Sequence, residues 1–316
     1  MNIRLLAKEV KCSPATVSRV LNNYPHVKPE LRQRVLYAAQ KLNYSLTRNS
    51  FLIIIPENPD FCGYLGLVLN ALQEEAALRD YHLTIMKEKD LSSADGLCCF
   101  DGCIAVVYKS GIEKRWRRNY IMPMVSLNSY GHRNDNILEV SSDNRQGVYM
   151  VMKYFQQNNH KKIAMLNIDM RTKDEARDIL ERNNFYLEYM KEYLPDVMPV
   201  IFECEPGNHE IYYEILKQGC TALFVPGEGY LPILYRDLMR TDIKIPDDLS
   251  IIAMSHEFFA DALVPEPTAI SQNYSALAVC IFDIFEDIRN KKTVKNIKVP
   301  YNFIPGKSVK KLKPSI

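Results

Sequence analysis

The stretch Ser13-Pro14-Ala15-Thr16-Val17-Ser18-Arg19-Val20-Leu21-Asn22 decides how the first fifty residues fold. Ser13 offers a hydroxyl to cap free helix amides, and Pro14 follows at the first helical position, where its missing N–H costs nothing. Val17, Val20 and Leu21 form an apolar stripe, while Ala15, Ser18, Arg19 and Asn22, at i, i+3, i+4 and i+7, form a polar stripe opposite. Working outward, Leu6, Ala7 and Val10 predict a short preceding helix. Lys28-Pro29 opens a third helix that carries Leu31, Val35, Ala38, Ala39 and Leu42. Lys11-Cys12 makes a tight first connection, and Asn22-Asn23-Tyr24-Pro25 breaks the chain before the third helix.

Charge sets this segment apart. The chain has 316 residues and a formal net charge of +2, yet residues 1–50 hold nine Lys/Arg against Glu9 and Glu30, net +7. The remainder holds 31 Lys/Arg against 36 Asp/Glu, net −5. A basic head on an acidic body points to a polyanion partner for the head alone. A short helix, a tight connection and a polar-faced second helix in such a head read as a helix-turn-helix whose second helix enters the major groove of DNA. The composition, 47% hydrophobic and 25% charged, is that of an ordinary globular protein and excludes collagen, mucin and coiled-coil readings. No stretch approaches the roughly 18–20 apolar residues of a membrane span, and the N-terminus lacks a secretory pattern, so the expectation is a cytoplasmic protein without membrane contact. The eight cysteines show no zinc spacing and read as buried, reduced thiols; neither a metal nor a cofactor is expected.

The quoted stretch resembles the recognition-helix signature of the lactose/galactose repressor (LacI/GalR) family, and Leu31-Arg-Gln-Arg-Val-Leu with Lys41-Leu42-Asn43-Tyr44 resembles that family's third helix. The resemblance implies that Pro14, Ala15 and Arg19 read bases, while Ser13, Thr16, Ser18, Asn22 and His26 contact phosphate or sugar. Arg19 has the clearest chemistry, because a guanidinium donates two hydrogen bonds to guanine O6 and N7, worth about 1–3 kcal/mol of discrimination. Pro14 and Ala15 can offer only apolar contact, for instance to a thymine methyl.

The junction departs from the family. There the tyrosine is followed by a hinge helix that pushes a leucine into the minor groove; here only Ser45-Leu46-Thr47-Arg48-Asn49-Ser50 separates Tyr44 from the first strand. Such a segment spans at most about 20 Å extended, and a two-turn helix would consume it whole. The expectation is a shortened linker over 45–50 and DNA binding without the leucine wedge, Leu46 being the one apolar candidate.

Beyond residue 50 strand-like runs alternate with amphipathic helical stretches. Phe51-Leu-Ile-Ile-Ile, His82-Leu-Thr-Ile-Met, Gly102-Cys-Ile-Ala-Val-Val and Pro123-Met-Val-Ser-Leu predict buried strands, with helices near 61–80 and 111–119. After Ser142-Asp143 the pattern restarts: helix 144–158, strand Lys162-Ile-Ala-Met-Leu, helix 174–193, strand Pro199-Val-Ile-Phe, helix 208–218, strand Ala222-Leu-Phe-Val, helix 229–240 and strand Leu249-Ser-Ile-Ile-Ala-Met. Two doubly wound parallel-sheet lobes follow, with ligands expected at the carboxyl ends of the strands. Ser142-Asp143-Asn-Arg-Gln-Gly147, Asn159-His160-Lys-Lys-Ile163, Ile245-Pro246-Asp-Asp-Leu-Ser-Ile251 and Pro265-Glu-Pro-Thr-Ala-Ile270 resemble the same family's periplasmic-binding-protein-like body. By that resemblance the head is 1–44, the first α/β lobe 51–157 with 272–294, the second 158–271 with 295–305, and three crossovers hinge the lobes over a cleft. Residues 306–316 read as a solvated, frayed basic tail, and a tail without heptads makes a tetramer unexpected.

The resemblance also places an effector pocket. Arg182, in Glu181-Arg-Asn-Asn-Phe, aligns with the family's pocket arginine, with Phe185 where the family has glycine. The family's Asn-Asp after Ala-Leu-Phe-Val is Gly227-Glu228, and its aspartate pair after Ser-Ile-Ile-Ala-Met is Ser255-His256. Gln272, Tyr274 and Tyr64 match polar and aromatic pocket positions, and Asp143 completes the effector-binding set. The leading function is a homodimeric, sequence-specific DNA-binding regulator, a repressor of a sugar-utilisation operon, controlled by a small polar effector held between the lobes. One alternative keeps DNA binding with a non-sugar effector or none. Another is an enzyme using Ser255, His256, Glu228 or Asp143, against which stands the lack of any nucleophile motif or phosphate loop.

Overall fold

The computed structural model describes the chain apart from residues 1–2, 22–25, 43–48, 60, 62, 94–99, 107–122, 130–136, 169–176, 228 and 315–316. The head holds α1 (Ile3–Glu9), α2 (Pro14–Leu21) and α3 (Pro29–Lys41). One apolar core joins them: Leu6, Ala7 and Val10 meet Val17, Val20 and Leu21 beneath Val35, Ala38 and Ala39. Arg34 donates from Nη2 to the Val10 carbonyl at 2.8 Å, which satisfies an acceptor at the end of α1 and fixes α3 against it.

The first lobe's sheet contains β1 (Ser50–Ile55), β2 (His82–Lys87), β3 (Gly102–Ala105), β4 (Met124–Leu127), β5 (Leu138–Ser142) and, late in the chain, β11 (Ile297–Val299), in the order β11-β5-β4-β3-β1-β2 and all parallel. Phe51, Ile53 and Ile55 of β1 face a core shared with α4 (Tyr64–Leu78) and α10 (Tyr274–Arg289), while Leu52 and Ile54 face Cys103, Ala105 and Met124. The continuous apolar run of β1 thus reflects burial on both faces.

The second sheet runs β12-β10-β9-β8-β6-β7, from β6 (Ile163–Ile168), β7 (Val200–Cys204), β8 (Ala222–Val225), β9 (Ser250–Met254), β10 (Thr268–Ser271) and β12 (Asn302–Ile304); β12 is antiparallel to β10 and the rest are parallel. One face packs on α5 (Asn144–Gln157) and α6 (Arg177–Tyr193), the other on α7 (Glu210–Lys217) and α8 (Leu231–Leu238). A short α9 (Glu257–Ala260) follows β9. Two parallel α/β lobes behind a helical head are therefore observed.

Three assignments need correction. Helix 144–157 belongs to the second lobe, because Val148, Val151, Met152 and Phe155 pack with Ile163, Met165, Tyr186 and Tyr189; the chain crosses at 143, not 157. Residues 297–299 belong to the first lobe, since β11 pairs with β5 and Val299 enters that core; the last crossing falls at 300–301. The described part of the tail is anchored as far as Leu312, not frayed. Ser308 is fully buried, its Oγ donates to the Ile251 carbonyl at 2.6 Å and accepts from Thr268 N–H at 2.7 Å, and Leu312 N–H reaches the Asn158 carbonyl at 3.0 Å. The expected helix at 111–119 and most of the linker, including Leu46, lie outside the described residues; Ser50 already belongs to β1. Among the described cysteines, all free, Cys103 and Cys220 are buried while Cys12, Cys204 and Cys280 are half-buried. No described helix is long and apolar enough to cross a membrane.

Candidate DNA-reading face and effector cleft

In the head, Ser13 caps α2 as the sequence suggested. Its Oγ accepts the Thr16 N–H at 3.0 Å and lies 2.8 Å from Thr16 Oγ1. Lys11 turns through φ 52°, and Cys12 N–H closes on the Ala7 carbonyl at 3.0 Å, so α1 ends and α2 starts within four residues. Burying Val17, Val20 and Leu21 forces the opposite face outward: Ser13, Pro14, Ala15 and Arg19 are exposed, Thr16 and Ser18 half-buried. His26 is exposed, at φ 72°; Asn22 lies outside the described residues. The Arg19 guanidinium therefore stands on an open helix face, as a fork that meets base edges must.

In the body, the candidate residues gather at carboxyl ends of strands and at the crossovers, where backbone amides and carbonyls leave the ladder. Gln272, at the second crossover, is 4% exposed; its Oε1 accepts from Asn128 Nδ2 at 2.8 Å and from Ser142 Oγ at 2.7 Å. Asn128 also donates to the Tyr64 hydroxyl at 2.8 Å, and its Oδ1 accepts the Ser142 N–H at 2.8 Å. Asn128 sits at φ 51°, a left-handed conformation that asparagine tolerates. Sequence reasoning passed over Asn128; the available signal was an asparagine immediately after the buried β4. Tyr64, Tyr274 and His256 form an aromatic row, with ring centroids 6.2 Å apart for the tyrosines and 6.0 Å between Tyr274 and His256. His256 caps α9, its Nδ1 accepting the Phe258 N–H at 3.2 Å, and Ser255 is fully buried with Oγ 3.4 Å from the His256 carbonyl. Asp143 is half-buried and caps α5 through the Gln146 N–H at 3.1 Å. Glu228 lies outside the described residues.

Arg182 is buried among protein acceptors. It is 3% exposed. Nε donates to Asn144 Oδ1 at 3.0 Å, Nη1 to Asp178 Oδ2 at 2.9 Å and to the Pro226 carbonyl at 2.7 Å, and Nη2 lies 3.4 Å from the Tyr301 hydroxyl. Tyr301 in turn donates to Asn144 Oδ1 at 2.7 Å, and Asn144 Nδ2 donates to Glu181 at 2.6 Å. Arg182 thus ties the first crossover (Asn144) to the third (Tyr301) and to the end of β8. Gly147 lets Tyr301 sit there, since a Cβ at that position would come within 2.7 Å of its ring.

The described residues contain no group of three or more His, Cys, Asp or Glu able to hold a metal ion. Comparison with known proteins matches residues 2–46 to the lacI family of bacterial regulatory proteins and residues 152–309 to the periplasmic binding protein-like domain. The NTD biosynthesis operon regulator NtdR of Bacillus subtilis (strain 168) is 23% identical over 95% of this chain and 97% of that protein. Among solved structures, a lac repressor dimer bound to operator and the anti-inducer ONPF is similar with a TM-score of 0.67 at 15% identity, covering 98% of this chain and 99% of that one. A LacI family regulator from Enterococcus faecium with bound ribose gives a TM-score of 0.67 at 16% identity over 84% of this chain and all of that one. A helix-turn-helix head matched by one family model, a two-lobed body matched by the other, and relatives aligned from end to end place this chain in the lacI family of DNA-binding transcriptional regulators.

Proposed function

We propose that the protein is a homodimeric, cytoplasmic repressor of a sugar-utilisation operon. The head reads operator DNA and a small polar effector, a sugar or sugar derivative, binds between the lobes. The observation that carries this reading is the exposed Arg19 face on a capped, well-cored α2, joined in one chain to two lobes whose crossovers are laced by hydrogen bonds. Pro14, Ala15 and Arg19 meet base edges, and Ser13, Thr16, Ser18 and His26 meet the backbone. In the cleft, Tyr64 and Tyr274 offer an aromatic face to a sugar ring, while Gln272, Ser255, His256 and Asp143 stand at the strand ends around it.

Two copies suit this chemistry. A single small head has limited affinity, and a second head on a pseudo-palindromic site adds its own through effective concentration. Leu78 and Ile85 on the first lobe and Met239, Phe258 and Val264 on the second are exposed apolar side chains of the kind a second body covers. The similar lac repressor was solved as a dimer on its operator. The test is fluorescence anisotropy of the full-length protein on a duplex enriched from a random pool. Binding should fall steeply between 50 and 200 mM salt, as for contacts dominated by phosphate. Salt-independent binding, or failure to enrich any sequence, would refute the reading.

A further inference from the structure

β6 is the switch point of the second sheet: β7 lies on one side of it and β8 on the other, so the connections leave toward opposite flanks. In open α/β sheets a ligand crevice forms outside the carboxyl ends of the strands at that point. Asn167 is the next-to-last residue of β6, 5% exposed, and among the described residues its Oδ1 has no hydrogen-bond partner. Side chains alternate along the strand: Ala164, Leu166 and Ile168 pack toward α7 and α8, Ile163 and Met165 toward α5 and α6. Asn167 extends the second row toward the carboxyl end. A valine or leucine would continue that row with all its contacts satisfied, whereas a buried acceptor left unmade costs about 1–3 kcal/mol.

The neighbouring groups define what could complete it. Met165 stands opposite Phe224 of β8, and the same register carried two residues further sets Asn167 beside Pro226. The Pro226 carbonyl is already taken by Arg182 Nη1 at 2.7 Å. Among the described residues, the buried cation at this corner is Arg182, and its donors go to Asn144, Asp178, Pro226 and Tyr301. Asp178 and Glu181 flank it on the same helix and oppose a second anion. Among the described residues the corner thus offers an unpartnered buried amide acceptor and negative charge, with the Arg182 guanidinium engaged by protein.

We infer that Asn167 is a contact residue for the effector, accepting a hydrogen bond from a hydroxyl of a neutral ligand, and that Arg182 braces the site instead of clamping a carboxylate or phosphate. The inference rests on the effector reading above and specifies its contact in the second lobe. A hydroxyl can donate to the oxygen or accept from the nitrogen of the amide, so it satisfies Asn167 in either orientation.

Thermal melting of the full-length protein tests this with Asn167→Leu and Asn167→Ala, each measured alone and with glucose, galactose, ribose, xylose, glucose 6-phosphate, ribose 5-phosphate or glucuronate. The wild type should be stabilised by at least one neutral sugar, and by no phosphate or uronate more than by its neutral parent. Without ligand, at least one of the variants should melt at or above the wild type, because the unsatisfied amide is gone; with ligand, its affinity should fall about tenfold or more, the scale of one lost hydrogen bond to a site built for it. Unchanged ligand affinity in such a variant, tighter binding of a phosphate or uronate than of its parent, or both variants melting well below the wild type would each overturn the inference. A wild type that no sugar stabilises would defeat the effector reading itself, and would show it without any variant.

Discussion

Arg19 and Arg182 stand in two regions that use the same side chain in opposite ways. Arg19 projects from the open face of α2, above a core of Val17, Val20 and Leu21 that fixes the helix without using the guanidinium. Arg182 lies in the buried stripe of α6 with Ile179, Tyr186, Tyr189 and Met190, and its donors run to protein acceptors on two crossovers and a strand end. An arginine reads a ligand only when its fork is left available; buried among acceptors, the same fork holds elements together. The head is therefore a surface reader on a small scaffold. The second lobe at this corner is a braced frame, and among the described residues the Oδ1 of Asn167 is buried in it without a partner.

That contrast predicts large stability effects in the body and small ones in the head. Arg182→Met should destabilise the body by about 3–5 kcal/mol, as removal of one partner from a buried, hydrogen-bonded ion pair does; the shift in urea midpoint measures it. A change under 1 kcal/mol would mean that the brace carries little. Ser308→Ala removes the two side-chain bonds, to Ile251 and Thr268, that help to hold the tail, and should cost about 1–3 kcal/mol in the same assay. An unshifted midpoint would mean that the Ser308 hydroxyl contributes little to seating the tail. In the head, Ser13→Ala should cost about 1 kcal/mol of α2 stability through the lost cap, read by hydrogen exchange at Thr16 and Val17, with body amides unaffected. Smallest of all, Glu9→Gln removes the exposed ion pair with Lys41 at 3.5 Å and should change stability by less than about 1 kcal/mol.

Much of the architecture could be read from periodicity. The run Ala222-Leu-Phe-Val is β8 to the residue, and α2 begins at Pro14 because Ser13 and Pro14 supply the cap and first-turn chemistry a helix start needs. Lobe membership could not be read the same way. Helix 144–157 and strand 297–299 show the right local patterns, but nothing in a 3.6- or 2-residue period says to which sheet a chain returns after Asp143 or before Tyr301. The lysines dominate the tail's composition, while the contacts that seat it come from one small hydroxyl, Ser308, and from backbone groups that composition does not reveal.

The cleft was harder still, since its chemistry depends on which polar atoms are already satisfied. The spacing Ile179, Arg182, Tyr186 does mark a buried stripe, so the burial of Arg182 was present in the sequence as a pattern, though its acceptors on Asn144, Pro226 and Tyr301 come from far along the chain. Asn128 and Asn167 look alike in sequence, each an asparagine at the end of an apolar strand. One amide is engaged by Tyr64, Gln272 and Ser142, and the oxygen of the other is without a partner among the described residues. Only three-dimensional neighbours separate them.

The central claim, that the open face of α2 carries the sequence reading, is tested most directly by comparing the wild type and Arg19→Ala on the enriched duplex and on the same duplex with its guanines replaced one base pair at a time. The wild type should lose about 1–3 kcal/mol at one guanine, and Arg19→Ala should no longer distinguish that base pair, while its binding to unrelated DNA weakens little. If Arg19→Ala kept the full preference of the wild type at every guanine, the assignment of the reading face to α2 would be wrong.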